Sequence, residues 1–122
     1  MHILVVEDNY DVIQLVQNLL LMDGHIVTTA RDGMEALQQE AALHPDAIVL
    51  DVNLPHLDGY EVCRRIKARR DVPIMLLTVR TERADEEQGA SAGADLHMAK
   101  PFDLVEFLDR IGTLEQMVKA AG

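Results

Sequence analysis

Residues suited to phosphoryl chemistry are scattered along almost the whole chain. They are the adjacent acids Glu7 and Asp8, a third carboxylate at Asp51 with Asn53 two positions on, the Thr78 hydroxyl and the Lys100 ammonium. Three carboxylates brought together repel one another, by roughly 4 kcal/mol for a pair 4 Å apart at an effective dielectric near 20. A hard divalent cation relieves that repulsion. Mg²⁺ (or Mn²⁺) takes oxygen ligands, and octahedral geometry suits Asp8, Asp51, a nearby backbone carbonyl and an incoming phosphate oxygen, with Glu7 acting through a bound water. An aspartate is a weak nucleophile, yet attack on phosphorus becomes feasible when a metal and a cation neutralise the phosphoryl oxygens and hold the partners in line. Asp51 is then the expected acceptor and Lys100 the cation. Thr78 can donate to a further phosphoryl oxygen. The group adds about −1.5 to −2 charge, so Thr78 and its loop should be drawn toward it.

These residues work together only if the fold collects them. Three apolar runs, Ile3-Leu-Val-Val, Ala47-Ile-Val-Leu and Ile74-Met-Leu-Leu, lack polar alternation and end at charged or turn residues, as strands buried on both faces do. Weaker strands are expected at Ile26-Val-Thr-Thr and Leu96-His-Met-Ala. Between them Val12, Leu15, Val16, Leu19 and Leu20 repeat at helical spacing, as do Leu104, Phe107, Leu108 and Ile111. Gly24 is a natural stop for the first helix. Shorter helices are expected around Met34, Leu37 and Ala41, over Tyr60 to Lys67, and over Ala84 to Ala92, where Gly89 and Ser91 lower the intrinsic propensity. Strand and helix alternate five times, which predicts one α/β domain over 1–122: a flavodoxin-like, doubly wound parallel sheet of order 2-1-3-4-5 with five helices. In such a sheet functional groups gather at the carboxyl ends of the strands, beside the switch in strand order. Glu7 and Asp8, Asp51, Thr78 and Lys100 follow the first, third, fourth and fifth strands.

Eleven basic residues stand against twenty-one acidic, a formal net charge of −10. That charge repels nucleic-acid phosphates and anionic membranes, so neither is an expected partner. The start, Met1-His2-Ile3-Leu4-Val5-Val6, carries no basic segment, long apolar stretch or cleavage signal, and a cytoplasmic location is expected. The single cysteine, Cys63, is read as inert packing, Met75 and Met98 as core, and the basic run Cys63 to Arg70 as a solvated helix face. The five histidines show no zinc spacing.

Val6-Glu7-Asp8, Leu50-Asp51-Val-Asn-Leu-Pro-His-Leu-Asp-Gly59, Leu77-Thr78 and Lys100-Pro101-Phe102 together resemble the bacterial response-regulator receiver family over essentially the whole chain. The resemblance implies a phosphoacceptor switch of a two-component phosphorelay and not a turnover enzyme. It implies Mg²⁺ at Glu7, Asp8, Asp51 and the Asn53 backbone carbonyl, and a phosphoryl group passed to Asp51 from a histidine kinase or histidine phosphotransfer protein. Thr78 and Lys100 would contact that group. His97 stands where a switching Tyr or Phe is usual, so Thr78 and His97 are the expected switch, acting on the surface of the fourth helix, fifth strand and fifth helix. Val79 follows Thr78 where Ala or Gly is more common, which implies slower reaction with small phosphodonors. Glu106 and Arg110 fit the charged pattern that supports phosphorylation-dependent homodimers in winged-helix regulators, while Gln88 and Leu96 stand where charges are usual.

Singly, each signal is ordinary. Glu7-Asp8 could be strand-end and capping acids, Thr78 a strand-end hydroxyl, and Lys100-Pro101 a helix-opening turn. Their joint placement in the right order is specific. A haloacid-dehalogenase-type phosphatase would need an acid where Asn53 stands. A flavodoxin-like flavin binder would need a hydroxyl- and glycine-rich phosphate loop in place of Glu7-Asp8-Asn9-Tyr10. A pseudo-receiver, a docking module that is never phosphorylated, is the remaining alternative.

Overall fold

The computed structural model describes the backbone of residues 1–79 and 83–121, and the side chains of all of these except 83–86. Strands β1 (His2–Val6), β2 (Ile26–Ala30), β3 (Ala47–Asp51), β4 (Ile74–Thr78) and β5 (Leu96–Ala99) alternate with helices α1 (Tyr10–Met22), α2 (Gly33–Leu43), α3 (Gly59–Arg69), α4 (Arg83–Ala92) and α5 (Leu104–Ala121). The strands form one parallel sheet of order β2-β1-β3-β4-β5, the order expected from the alternation.

The runs without alternation are explained by burial on both faces, and every residue of β3 and β4 is buried. Successive side chains enter opposite layers. Leu4, Val6, Ile48, Leu50 and Leu76 pack with Val62, Cys63 and Ile66 of α3 and Ala92 of α4. Ile3, Val5, Val49, Met75, Leu77 and Met98 pack with Val16 and Leu20 of α1 and Phe107, Ile111 and Leu114 of α5. Met75 and Met98 are therefore core, as expected.

Local signals set the helix ends. Asn9, Asp32 and Asp58 accept from the backbone N–H three residues on and so start α1, α2 and α3. α1 ends as its Gly24 predicts. That residue takes φ 87°, its N–H donates to Leu21 and the next, His25, donates to Leu20. α3 is longer than the Tyr60–Lys67 pattern because the Asp58 cap and the Arg70 N–H to Ile66 carbonyl bond each add a flank. Leu15 and Leu104, both expected on inward stripes, are 47% exposed, and Ile13 takes the inward place in α1. Gly122, the last residue of the expected domain, lies outside the described residues.

Candidate functional site

Register brings the chemical residues to one edge. Val6 of β1 pairs with Leu50 of β3, which places Glu7 beside Asp51 just past the paired segment. Asp51 in turn lies opposite Leu77, and Thr78 opposite Ala99, so Lys100 follows directly. The Lys100 N–H donates to the Thr78 carbonyl at 2.7 Å, joining the two chain segments by their backbones. The helix after β3 closes in tightly: a side chain on Gly59 would put its Cβ 2.4 Å from the Asp51 carbonyl oxygen. The Asp51-to-Gly59 loop therefore folds back to the end of its own strand only because residue 59 is glycine.

Glu7, Asp51 and Thr78 are buried, whereas Asp8 is exposed. One carboxylate oxygen from each of Glu7, Asp8 and Asp51 lies within 4.8 Å of the others. Lys100 Nζ donates to Glu7 Oε2 at 2.6 Å and sits 3.2 Å from Asp51 Oδ2. The second Asp51 oxygen accepts from the Asn53 N–H at 3.1 Å, and Glu7 Oε1 accepts from the Asn9 N–H at 3.2 Å. Glu7 is thus held directly by protein partners on both oxygens.

Burial is the main reason that the Glu7 carboxyl is raised to about 6, and the Asp51 charge adds to it against the opposing Lys100 bond. For Lys100, burial works against the charge, but the Glu7 bond and the Asp51 and Glu7 charges outweigh it and hold the ammonium above its ordinary value. One ammonium against three carboxylates leaves two negative charges in excess. An all-oxygen donor set with that excess fits a hard divalent cation.

Two clefts flank the site. A polar one of about 480 Å³ is lined by Asn53, Asp58, Tyr60, Thr78, Val79 and Gln88 among others. An apolar one of about 400 Å³ is lined by Val12, Leu15, Val79, Lys100, Pro101 and Phe102. Val79, 59% exposed, stands between them. His97 is separate from this edge and packs against α4. Cys63 is fully buried, its thiol pushed up to about 11 chiefly by burial, consistent with packing.

Sequence reasoning missed Arg31. Its Nη2 donates to the Asp8 carbonyl at 3.2 Å, and its guanidinium lies 6.0 Å from the centre of the Tyr10 ring, so it braces the acidic loop from the side. No local pattern announces a contact across twenty-three positions.

Comparison with known proteins agrees with this geometry. Residues 3–112 match the family model described as the response regulator receiver domain. "Response regulator MprA" of Mycobacterium avium is 43% identical over 120 residues, 98% of this chain and 53% of that protein, so the chain spans about half the length of the curated relatives it matches. Among solved structures, the Vibrio cholerae chemotaxis protein CheY4 superposes with TM-score 0.89 at 30% identity, covering 93% of this chain and 97% of that one. The signal receiver domain of a histidine kinase from Syntrophus aciditrophicus superposes with TM-score 0.89 at 31% identity, covering 97% and 92%. With a family match along nearly its whole length, the chain belongs to the response regulator receiver family, the phosphoacceptor switches of two-component signalling.

Proposed function

We propose that Asp51 is the phosphoacceptor, that Lys100 and Thr78 hold the transferred group, and that Glu7, Asp8, Asp51 and the Asn53 backbone carbonyl would hold Mg²⁺ or Mn²⁺. The observation that carries this reading is the Lys100 ammonium bridging Glu7 and Asp51 beside the exposed Asp8. When bound, the metal would supply neutralisation of phosphoryl charge. The chain's own residues do the rest. A buried Asp51 oxygen attacks phosphorus in line, the bond from phosphorus to the donor breaks, and the donor leaves with the bonding electron pair. Lys100, already charged and preoriented, is placed to stay with the phosphoryl oxygens without waiting for a proton. Thr78, at the end of β4 and bonded through its carbonyl to Lys100, is placed to follow them.

The donor is read as a histidine kinase or histidine phosphotransfer protein. The apolar cleft between α1 and the Pro101-Phe102 segment, opening at Lys100, supports its docking there. Output is read as a change in the α4, β5 and α5 surface through Thr78 and His97. In this structure Glu106 and Arg110 pair with each other at 3.5 Å, so a phosphorylation-dependent homodimer through them requires that pair to be exchanged. The chain is read as cytoplasmic and as a switch that turns over no substrate. No helix among the described residues is long and apolar enough to cross a membrane.

Intact mass after treatment with acetyl phosphate and Mg²⁺ tests the acceptor. The expected result is one phosphoryl adduct, absent from Asp51→Asn and from a chelated sample. An adduct that survives Asp51→Asn overturns the assignment. No adduct, even from a kinase donor, makes the chain an unphosphorylated docking module.

A further inference from the structure

α4 carries a glycine where its helix needs none, and what lies against that glycine is specific. A Cβ built on Gly89 would fall 1.9 Å from His97 Nε2 and 2.3 Å from Cε1, so the imidazole occupies the volume a side chain would fill. Nε2 is itself buried and has no hydrogen-bond partner among the described residues. The ring is therefore seated where a side chain on residue 89 would lie, and the unpaired nitrogen makes that seat costly to keep. Its surroundings are fixed on two sides. The His97 carbonyl accepts from Arg110 Nη1 of α5 at 2.7 Å. The end of α4 and the turn into β5 are tied to α3, with Cys63 Sγ donating to the Ala92 carbonyl at 3.4 Å and Lys67 Nζ bonded to Asp95 at 2.8 Å. Between these anchors the His97 ring rests directly on the bare Gly89 position.

We propose that Gly89 is a positioning residue of the switch: its missing side chain forms the seat that holds the His97 ring in the resting protein, and vacating that seat shifts α4 to its active arrangement. This rests on the phosphoacceptor reading above and adds to it the contact that sets the resting balance. A ligand that favours the vacated state binds more tightly when the seat is already blocked, and by the same coupling a blocked seat populates the active arrangement without phosphorylation.

The test uses amide spectra of the whole chain as wild type, Gly89→Ala, His97→Ala and the double variant, with and without beryllofluoride and Mg²⁺. Gly89→Ala is expected to move the β5 resonances of the resting protein toward the positions beryllofluoride produces in the wild type, and to tighten apparent beryllofluoride binding by about fivefold or more. With His97→Ala also present, both effects should vanish. The helix-propensity gain of alanine is the same in both backgrounds and cannot mimic this loss. Equal shifts with and without His97→Ala, or no shift in either, overturn the proposal. If wild type binds no beryllofluoride, the phosphoacceptor reading fails, while the resting spectra still report whether Gly89→Ala acts through His97.

Discussion

α3 and α4 flank the same face of the sheet and differ by one residue in length, yet they are built to opposite standards. α3 opens with the Asp58 cap, buries Tyr60, Val62, Cys63 and Ile66, and ends with Lys67 and Arg69 in its last turn, where cations suit the helix dipole. α4 has Gly89 and Ser91 inside it, and its described buried residues are only Gly89 and Ala92. The helix that follows Asp51 is therefore braced from Gly59, pressed on Asp51, to Lys67, bonded to Asp95. The helix that follows Thr78 has low intrinsic propensity, from Gly89 and Ser91. The first braces the site, and the readout proposed above falls on the second, where low local stability would serve switching.

The largest effects should come from α3. Gly59→Ala places a carbon against backbone at Asp51 and Val52, 2.4 Å and 2.7 Å away, which neither atom can yield cheaply. Ile66→Ala opens a cavity at a fully buried position. Each is expected to cost about 3 kcal/mol in urea unfolding. A loss under about 1 kcal/mol for both would mean that α3 is no more a rigid brace than α4 is.

That contrast was legible in the sequence only in part. The strand pattern, the sheet order and the four strand-end segments followed from apolar runs and alternation, because a parallel sheet leaves few arrangements open. The low propensity of α4 also followed, from Gly89 and Ser91. What Gly89 faces did not, since a helical glycine carries no mark of the His97 ring that fills its place. Nor did the direct bonds of Glu7 to Lys100 and Asn9, because these depend on how deeply the end of β1 is buried.

Lys67→Met removes the tie between α3 and the turn into β5. Lys67 is bonded to Asp95, whose same oxygen accepts from the Ile74 N–H at 2.8 Å, so Asp95 would keep one partner and lose the charged one. A loss of about 1–2 kcal/mol is expected, with faster hydrogen exchange at the end of α4. An unchanged exchange rate there would show that Cys63 alone anchors α4.

The site that α3 braces should itself be unstable electrostatically, which a pH series can show. The Glu7 carboxyl sits at about 6 against an ordinary 4.5, so the folded state holds this proton more tightly than the unfolded chain. Its contribution is best below about pH 4.5 and declines as pH rises to about 6, by roughly 2 kcal/mol for that shift. Glu7→Gln keeps an oxygen for Lys100 and cannot ionise. In metal-free buffer the variant should therefore match the wild type near pH 4.5 and exceed it by about 1.5–2 kcal/mol at pH 8. A wild type that instead gains stability on the variant as pH rises would mean that the Lys100 pair outweighs burial.

The smallest effect compares two helical glycines directly. A Cβ on Gly112 of α5 meets nothing within 4 Å, so Gly112→Ala should deliver the ordinary helix-propensity gain of about 0.5–1 kcal/mol. Gly89→Ala brings the same intrinsic gain to α4 but sets its carbon against the His97 ring. Its net gain should be smaller than that of Gly112→Ala, and should approach it when His97→Ala empties the space. Thermal unfolding of the wild type, the three single variants and the Gly89→Ala/His97→Ala double variant reads this difference. Equal gains at the two positions in the presence of His97 would mean that the ring leaves its place at no cost, and that the weakness of α4 is a matter of its own composition and nothing opposite it.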